Sequence, residues 1–199
     1  MCLLVESLKV ENGRPCHLTD HECRMNDARS VLFGIDIPIN LSDQLTDIEN
    51  IDANEILKCR IIYSDIIHSI EFHPYIPRII RALRLIENNT IDYTYKYADR
   101  SMFGCLPLHE PDTDFLIVKN GFITDTSFSN VAFYDGEQWV TPSTYLLNGT
   151  QRQRLLREGR IVSRKIRVGD LPRFTCAKPI NAMLDFDATP EIEIAAIYK

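Results

Sequence analysis

The stretch that most constrains the fold of this chain runs from Asp114 to Pro142 and reads DFLIVKNGFITDTSFSNVAFYDGEQWVTP. It holds two turn signals, Asn120-Gly121 and Asp135-Gly136, each set between runs of β-branched and aromatic residues. Such pairs supply the positive φ angles that two-residue hairpin turns need. The sequence therefore predicts a strand meander with a tight turn at each pair.

The centre of this meander is polar. Residues 123–130 are rich in small hydroxyls and include one acid, Asp125, and one amide, Asn130. Polar residues of this kind more often stabilise turns than form a site. A ligand-binding floor is the alternative, and the segment alone leaves both interpretations open.

Composition narrows the classes of protein. The chain has 199 residues, 45% hydrophobic and 25% charged, which is typical of a globular protein of one large or two small domains. The net charge of -6 argues against general nucleic-acid binding. No apolar run is long enough for a membrane span or a signal-peptide core, so we expect a cytoplasmic protein with no membrane partner.

The six cysteines are scattered without a CxxC pair, which predicts neither a zinc ribbon nor a disulfide framework. The cluster Cys16, His17, His21 and Cys23 holds four ligand types for zinc, but its spacing fits no common structural site. Reduced thiols are therefore favoured, and no metal is predicted.

The elements around the meander indicate an α+β (mixed α/β) fold. A hairpin turning at Asn12-Gly13 precedes a helix that Thr19 or Asp20 can cap and Gly34 can end. A helix that ends before Gly159 follows the meander. The sequence predicts two domains, residues 1–90 and residues 91–199. Further strands are predicted over residues 58–64, 69–75, 78–86, 161–168, 174–183 and 192–198.

Two further features could carry chemistry. Lys96 lies among Tyr93, Tyr95 and Tyr97, and a lysine in an aromatic environment can lose hydration, which lowers its pKa and makes the amine a nucleophile. The alternative, an ordinary surface lysine, is favoured by composition alone. The start of the helix at 149–151 could hold a phosphate on its free amides, although most helices begin with a small polar residue.

Taken in order, these features resemble the class IV aminotransferase family, fold type IV of the pyridoxal-phosphate enzymes. This family includes branched-chain and D-amino-acid aminotransferases and 4-amino-4-deoxychorismate lyase. ESLKV before Asn12-Gly13 resembles the family's ETIKV-x-G, and HECRM resembles H-x-x-R-L. GFITDTSFSN is similar to G-x-[VI]-[ST]-E-x-x-x-[SG]-N, and VTP with LNGTQR is similar to TP with LPGITR.

The resemblance implies a fold and a set of roles. The fold would be a small N-terminal α/β sandwich with a larger C-terminal domain around a meander or barrel-like core. Lys96 would form the Schiff base with pyridoxal 5′-phosphate and move the α-proton, and Asp125 would pair with the pyridine nitrogen. Arg24 would bind the phosphate with the backbone of Thr150 and Gln151. The resemblance also places Asn181 near the last phosphate-binding segment.

The resemblance also implies a function, a homodimer and a small amino-acid-like substrate. Asn181-Ala182-Met183 is similar to the NAL or NAM of the lyase branch, which favours pyruvate elimination by 4-amino-4-deoxychorismate lyase over transamination. Two departures are Asp125 in place of glutamate and Asn148 in place of proline. The chain also starts almost on the ETIKV-like strand. These departures keep a third interpretation open, a non-catalytic relative that retains the scaffold.

Overall fold

The computed structural model describes residues 2–45, 55–104, 110 and 112–199. By backbone contacts the chain forms two compact units, one of Met1–Pro77 with Tyr95–Asp99 and one of Arg78–Thr94 with Arg100–Lys199. The domain ranges 1–90 and 91–199 stay a prediction from the sequence. No helix in the described part of the chain is long and apolar enough to cross a membrane.

The first unit contains an antiparallel sheet with the strand order β2-β1-β3-β4. Its elements are β1 (Leu4–Glu11), β2 (Arg14–Pro15), α1 (Leu18–Phe33), α2 (Leu41–Gln44), β3 (Leu57–Tyr63) and β4 (Ile67–Pro74). Its core joins Leu4 and Leu8 of β1 to Met25 and Ala28 of α1. The amphipathic pattern of α1 therefore covers the inner face of the sheet.

Of the predictions for the first hairpin and for the ends of α1, two are confirmed and one is wrong. The hairpin at Asn12-Gly13 is confirmed, with φ angles of 53° and 67°, and so is the stop at Gly34, whose φ is 68°. The predicted N-cap at Thr19 or Asp20 is wrong. The cap is His17, in the left-handed region, and its side chain makes no capping hydrogen bond. The helix thus starts earlier than the hydroxyl signal indicated.

The second unit contains two sheets, with strand orders β13-β5-β6-β7 and β10-β9-β8-β11-β12. The first sheet is built from β5 (Ala82–Glu87), β6 (Thr113–Lys119), β7 (Phe122–Thr126) and β13 (Ile197–Tyr198). The second is built from β8 (Asn130–Tyr134), β9 (Trp139–Pro142), β10 (Ile161–Arg164), β11 (Cys176–Ile180) and β12 (Ile192–Glu193). Helix α3 (Thr150–Arg157) connects β9 to β10, which pair in parallel.

The two predicted hairpin turns differ. Asn120 and Gly121 have φ angles of 53° and 78°, as a two-residue turn with two positive φ angles requires. The prediction of a two-residue turn at Asp135-Gly136 is wrong, because Tyr134 pairs with Trp139 and leaves a four-residue loop. Asp135 Oδ1 accepts from the backbone N–H of both Glu137 and Gln138, at 3.1 and 2.9 Å, and this side-chain turn sets the longer loop.

The two hairpins also belong to different sheets, since β6 and β7 lie in one and β8 and β9 in the other. The polar centre is the crossing between them. Thr126 N–H donates to Ser129 O at 2.8 Å, and the Thr126 and Ser129 hydroxyls lie 2.8 Å apart. The hydroxyl-rich segment therefore closes a turn at the point where the chain changes sheet.

The end of the chain changes sheet as well. The strand predicted over 192–198 is wrong as one element, because a 3-10 turn over Ile194–Ala196 separates β12 from β13. β12 pairs with β11, whereas β13 pairs in parallel with β5. Within the described residues Cys2, Cys16, Cys23, Cys59 and Cys176 form no disulfide bond, and Cys105 lies outside those residues.

Candidate active site

The predicted site residues fall into two groups, one in each compact unit. Arg24 and Lys96 belong to the first unit. Asp125, Thr150, Gln151 and Asn181 belong to the second. In the first unit Arg24 lies on α1 and Lys96 on the segment Tyr95–Asp99. In the second unit Asp125 lies on β7, α3 begins with Thr150 and Gln151, and Asn181 follows β11.

Asp125 is the centre of the group in the second unit. It lies on β7, next to the sheet crossing, and only 5% of its surface is exposed. Its Oδ1 accepts from Asn130 Nδ2 at 2.8 Å, and its Oδ2 accepts from the backbone N–H of Leu146 at 3.1 Å and of Leu147 at 2.9 Å. A carboxylate removed from water needs such donors to remain ionised.

The donors around Asp125 do not fully offset its burial. Burial raises the pKa of Asp125 to about 6, against the opposing effect of the hydrogen bonds from Leu147, Asn130 and Leu146. A carboxylate offers about four acceptor positions, so these three hydrogen bonds leave room for one more donor. A cationic N–H at that position would favour the ionised form of Asp125.

Asn130 ties Asp125 to the start of α3. Besides its bond to Asp125, its Nδ2 donates to Leu147 O at 2.8 Å, and Gly149 N–H donates to the same carbonyl at 2.9 Å. The side chain leaves no space for a β-carbon at Gly149, since that atom would lie 2.2 Å from Asn130 Oδ1. The glycine is therefore required by close approach, because its own φ of -65° suits any residue.

Helix α3 begins with Thr150 and Gln151, both of which are buried. The hydrogen bond from Gln153 N–H to Gly149 O, at 3.0 Å, begins the helical series. The N–H groups of the preceding first-turn residues therefore have no acceptor within the helix, and the helix dipole favours an anion there. Anion binding by this segment stays a prediction.

Arg152 was not among the predicted site residues. The structure buries it, with 3% of its surface exposed. Its guanidinium donates to Pro142 O at 3.0 Å and to Ser163 Oγ at 3.2 Å, and it lies over the Tyr145 ring at 4.3 Å. Arg152 thus fixes α3 against the end of β9.

Asn181 follows β11 and stabilises a local turn. Its Oδ1 accepts from Met183 N–H at 2.9 Å, and its carbonyl accepts from Leu184 N–H at 3.1 Å. These contacts are typical of an asparagine turn. They hold the 181–183 segment in place and do not themselves indicate a ligand.

Lys96 lies on the segment Tyr95–Asp99, which runs beside β1 in the first unit. Its carbonyl accepts from Val5 N–H at 2.9 Å, and Ala98 N–H donates to Leu3 O at 2.8 Å. Its Nζ donates to Ser7 Oγ at 3.0 Å, and the residue is half-buried. Lys96 is therefore held in a defined position by the first strand, unlike an ordinary surface lysine.

Arg24 is half of a buried ion pair that the sequence analysis did not predict. Arg24 Nε donates to Glu6 Oε1 at 2.9 Å and Nη2 donates to Oε2 at 2.5 Å, while His21 Nδ1 lies 2.7 Å from Oε2. Burial alone would raise the pKa of Glu6, but Arg24 and His21 lower it to about 2. The shared helix face of His21 and Arg24, three residues apart, serves to hold this carboxylate.

A signal for Glu6 was present in the sequence. Leu4, Glu6, Leu8 and Val10 alternate along β1, and all four are buried. An acid on the apolar face of a strand requires a cationic partner. His21 also uses its ring nitrogen on Glu6, and in the described ranges no three His, Cys, Asp or Glu residues are grouped to hold a metal ion.

Comparison with known proteins identifies the family of the chain. Residues 109–186 match the model of amino-transferase class IV. An uncharacterized protein of Haemophilus influenzae is 35% identical over 182 residues, which cover 90% of this chain and 97% of that protein. The crystal structure of a "putative 4-amino-4-deoxychorismate lyase" from Haemophilus somnus is 27% identical, with a TM-score of 0.83 over 92% of this chain and 97% of that one. The chain belongs to the class IV aminotransferase family.

This class IV aminotransferase family member has the mixed α+β fold of the fold type IV enzymes, as the resemblance implied. A hypothetical aminotransferase of Mycobacterium tuberculosis in its PLP-bound form shares that fold, with a TM-score of 0.74 over 96% of this chain and 80% of that one. At 17% identity, that likeness concerns the fold alone. Pyridoxal phosphate is thus bound by a protein of the same fold.

Proposed function

We propose that this chain is a pyridoxal-phosphate-dependent enzyme that acts on an amino-acid-like substrate. Within that class, we propose 4-amino-4-deoxychorismate lyase, which eliminates pyruvate. Family membership supports the class of enzyme. The likeness to the Haemophilus somnus protein and the Asn181-Ala182-Met183 motif support the lyase.

The observation that carries the proposal is the buried carboxylate of Asp125 with its remaining acceptor position. Pyridoxal phosphate, when bound, supplies a ring that withdraws electrons from the substrate's α-carbon. Asp125 would hold a proton at the ring nitrogen. The aspartate is one methylene shorter than the family's glutamate, and Asn130 holds its carboxylate in one orientation on β7.

Lys96 would attach the cofactor through its amine and afterwards take the proton from the substrate's α-carbon. The hydrogen bond to Ser7 Oγ would orient the amine for both steps. A lysine that is partly removed from water is suited to act as a nucleophile and base.

The phosphate group would bind to Arg24 and to the backbone N–H groups of Thr150 and Gln151. Glu6 accepts from two N–H groups of Arg24 and so holds the guanidinium in a defined orientation. Asn181 would shape the adjoining segment. The phosphate would thus meet both the full positive charge of Arg24 and the positive end of the α3 dipole.

The direct test is to incubate the protein with pyridoxal phosphate, reduce with borohydride and map the labelled peptide. We expect the label on Lys96 and its loss in Lys96→Arg. Lys9→Arg is the matched control, because Lys9 also lies in the first unit and pairs with Glu11. A label on another lysine would overturn the site assignment, and no label at all would favour the non-catalytic relative.

The lyase and the transaminase are separated by their products. Aminodeoxychorismate is supplied to one sample, and amino acids with 2-oxo acids are supplied to another. Pyruvate release in the first supports the lyase. Transfer of an amino group in the second, without pyruvate release in the first, would replace the lyase by the transaminase.

The assembly and location belong to the same proposal. We infer a homodimer in the cytoplasm, with a small-molecule substrate and no nucleic-acid or membrane partner. Light scattering after size-exclusion chromatography tests the dimer, since a mass of 22.9 kDa corresponds to one chain. A single species of that mass at micromolar concentration would contradict it.

A further inference from the structure

Arg100 lies four residues after Lys96, at a point where the chain leaves one compact unit for the other. Residues 95–99 group with the first unit, whereas the residues that precede and follow them group with the second. These five residues, called here the Lys96 segment, therefore group with the first unit but are connected at both ends to residues of the second. Whatever fixes these two ends limits the positions that Lys96 can take.

The two ends are joined by a cluster of aromatic rings and one cation. The Arg100 guanidinium lies over the Phe103 ring at 4.6 Å and over the Tyr93 ring at 5.8 Å. Tyr93 is buried and meets Phe103 edge to face, with ring centroids 5.1 Å apart. Tyr93 precedes the Lys96 segment and Arg100 follows it, so this cation–π cluster joins the residues on either side of the segment.

The same guanidinium reaches the sheet crossing. Arg100 Nη2 donates to Ser127 O, two residues after Asp125. The Ser127 hydroxyl in turn donates to Asp114, a buried residue of β6. Arg100 thus connects the base of the Lys96 segment to the turn that follows Asp125, through contacts made wholly within the second unit.

We propose that Arg100 is a positioning residue, which fixes the point where the Lys96 segment is connected to the second unit, beside the turn that follows Asp125. This inference rests on the proposed function, in which Lys96 and Asp125 act on the same rigid ring. Two groups that must meet one ring have to be held within about 0.5 Å of their working positions. An arginine is suited to this, because its planar group stacks on rings while its forked donors reach a carbonyl.

The test separates positioning from general stability. The variants are Arg100→Met, which keeps an apolar stem, and Arg100→Lys, which keeps the charge. Arg160→Met is the matched control, since Arg160 also lies over a ring, Phe186, at 5.2 Å and pairs with exposed Asp187. Phe103→Leu provides a second disruption of the cluster if Arg100→Met does not fold.

Two quantities are measured for each variant. One is the rate at which borohydride traps pyridoxal phosphate on Lys96. The other is the affinity for pyridoxamine phosphate, which lacks the aldehyde and cannot attach to the lysine. We expect Arg100→Met to lower the trapping rate about tenfold or more, since an error of about 1 Å costs on the order of a hundredfold. Its pyridoxamine phosphate affinity should stay within about twofold, because the phosphate contacts are not made by Arg100.

The outcomes distinguish the two proposals. An intermediate trapping rate in Arg100→Lys and an unchanged rate in Arg160→Met support the positioning role. Equal losses of trapping and affinity, or no loss of either, would overturn it while leaving Lys96 labelled in the unsubstituted protein. Absence of label in the unsubstituted protein would overturn the proposed function and this inference together.

Discussion

Gly149 lies directly against the side chain of Asn130, so that a β-carbon at position 149 would stand 2.2 Å from Asn130 Oδ1. The same asparagine donates to Asp125 Oδ1 and to Leu147 O. One side chain thus sets both the carboxylate proposed for the ring nitrogen and the start of the helix proposed for the phosphate. The backbone glycine makes that arrangement sterically feasible.

Gly149→Ala is therefore expected to displace Asn130 and destabilise the protein by roughly 1–3 kcal/mol, as overpacking in a well-packed region does. Urea unfolding monitored by the single tryptophan, Trp139, measures this free energy. Gly169→Ala is the control, because a β-carbon there meets nothing within 4 Å. In an Asn130→Ala background the Gly149→Ala cost should largely disappear, and a cost that persists undiminished would show that another contact is responsible.

Glu6→Gln is expected to destabilise the protein by about 3–5 kcal/mol near pH 7, because it leaves Arg24 and His21 without their buried counterion. The pKa of Glu6 is lowered to about 2, below the value of about 4.3 in an unfolded chain. The stabilisation is therefore present above about pH 4 and is lost as pH falls towards 2. The difference in unfolding free energy between the two proteins should stay constant from pH 7 to about pH 4 and shrink between about pH 4 and pH 2. Glu71→Gln, in an exposed pair, should show little effect at any pH.

Asp125 should give the opposite pH dependence in the cofactor-free protein. Its pKa is raised to about 6, above the value of about 3.9 in an unfolded chain. Between these values the folded state holds more protons, so the free energy of unfolding falls as pH rises from about 4 to 6, by up to roughly 3 kcal/mol. The measurement compares this slope in the unsubstituted protein and in Asp125→Asn; identical slopes would contradict the assignment.

Arg29→Lys should destabilise the first unit by roughly 2–4 kcal/mol, because a lysine cannot replace its forked hydrogen bonds. Arg29 is buried, and its guanidinium donates to Asp65 O at 3.0 and 2.8 Å and to Ile37 O at 2.8 Å. Thermal and urea unfolding measure the change. Arg60→Lys is the matched control, since Arg60 is 37% exposed and forms a surface pair with Glu71. Equal stability of the two variants would refute a structural role for Arg29.

Features decided by local backbone chemistry were predictable from the sequence. Asn120-Gly121 and Gly34 take the positive φ angles that their residue types favour, and the strand and helix they bound follow. The resemblance to a family rested on similarly local motifs, and it led to the correct fold. The four-residue loop at Asp135 was harder to predict, because an aspartate side chain competes with the glycine pair for control of the turn.

Features decided by distant contacts were not predictable in the same way. Residues 126–130 were predicted to lie within one meander and residues 194–196 within one strand, yet the chain changes sheet at both, which depends on partner strands far along the sequence. The ion pair of Glu6 with Arg24 spans 18 residues, although the apolar neighbours of Glu6 on β1 gave a signal for it. The approach of Asn130 to Gly149 left no signal beyond the glycine itself.

The hydrogen bond from Lys96 to Ser7 joins positions 89 residues apart, and it has a consequence for how the chain folds. Contacts of such long range form late, because a large loop must close before they stabilise anything. During synthesis β1 is made before the segment that carries Lys96. Until that segment docks, Lys96 has the reactivity of any lysine in an unfolded chain. Under the proposed function, selective chemistry at this amine would therefore require the Lys96 segment to have docked on β1.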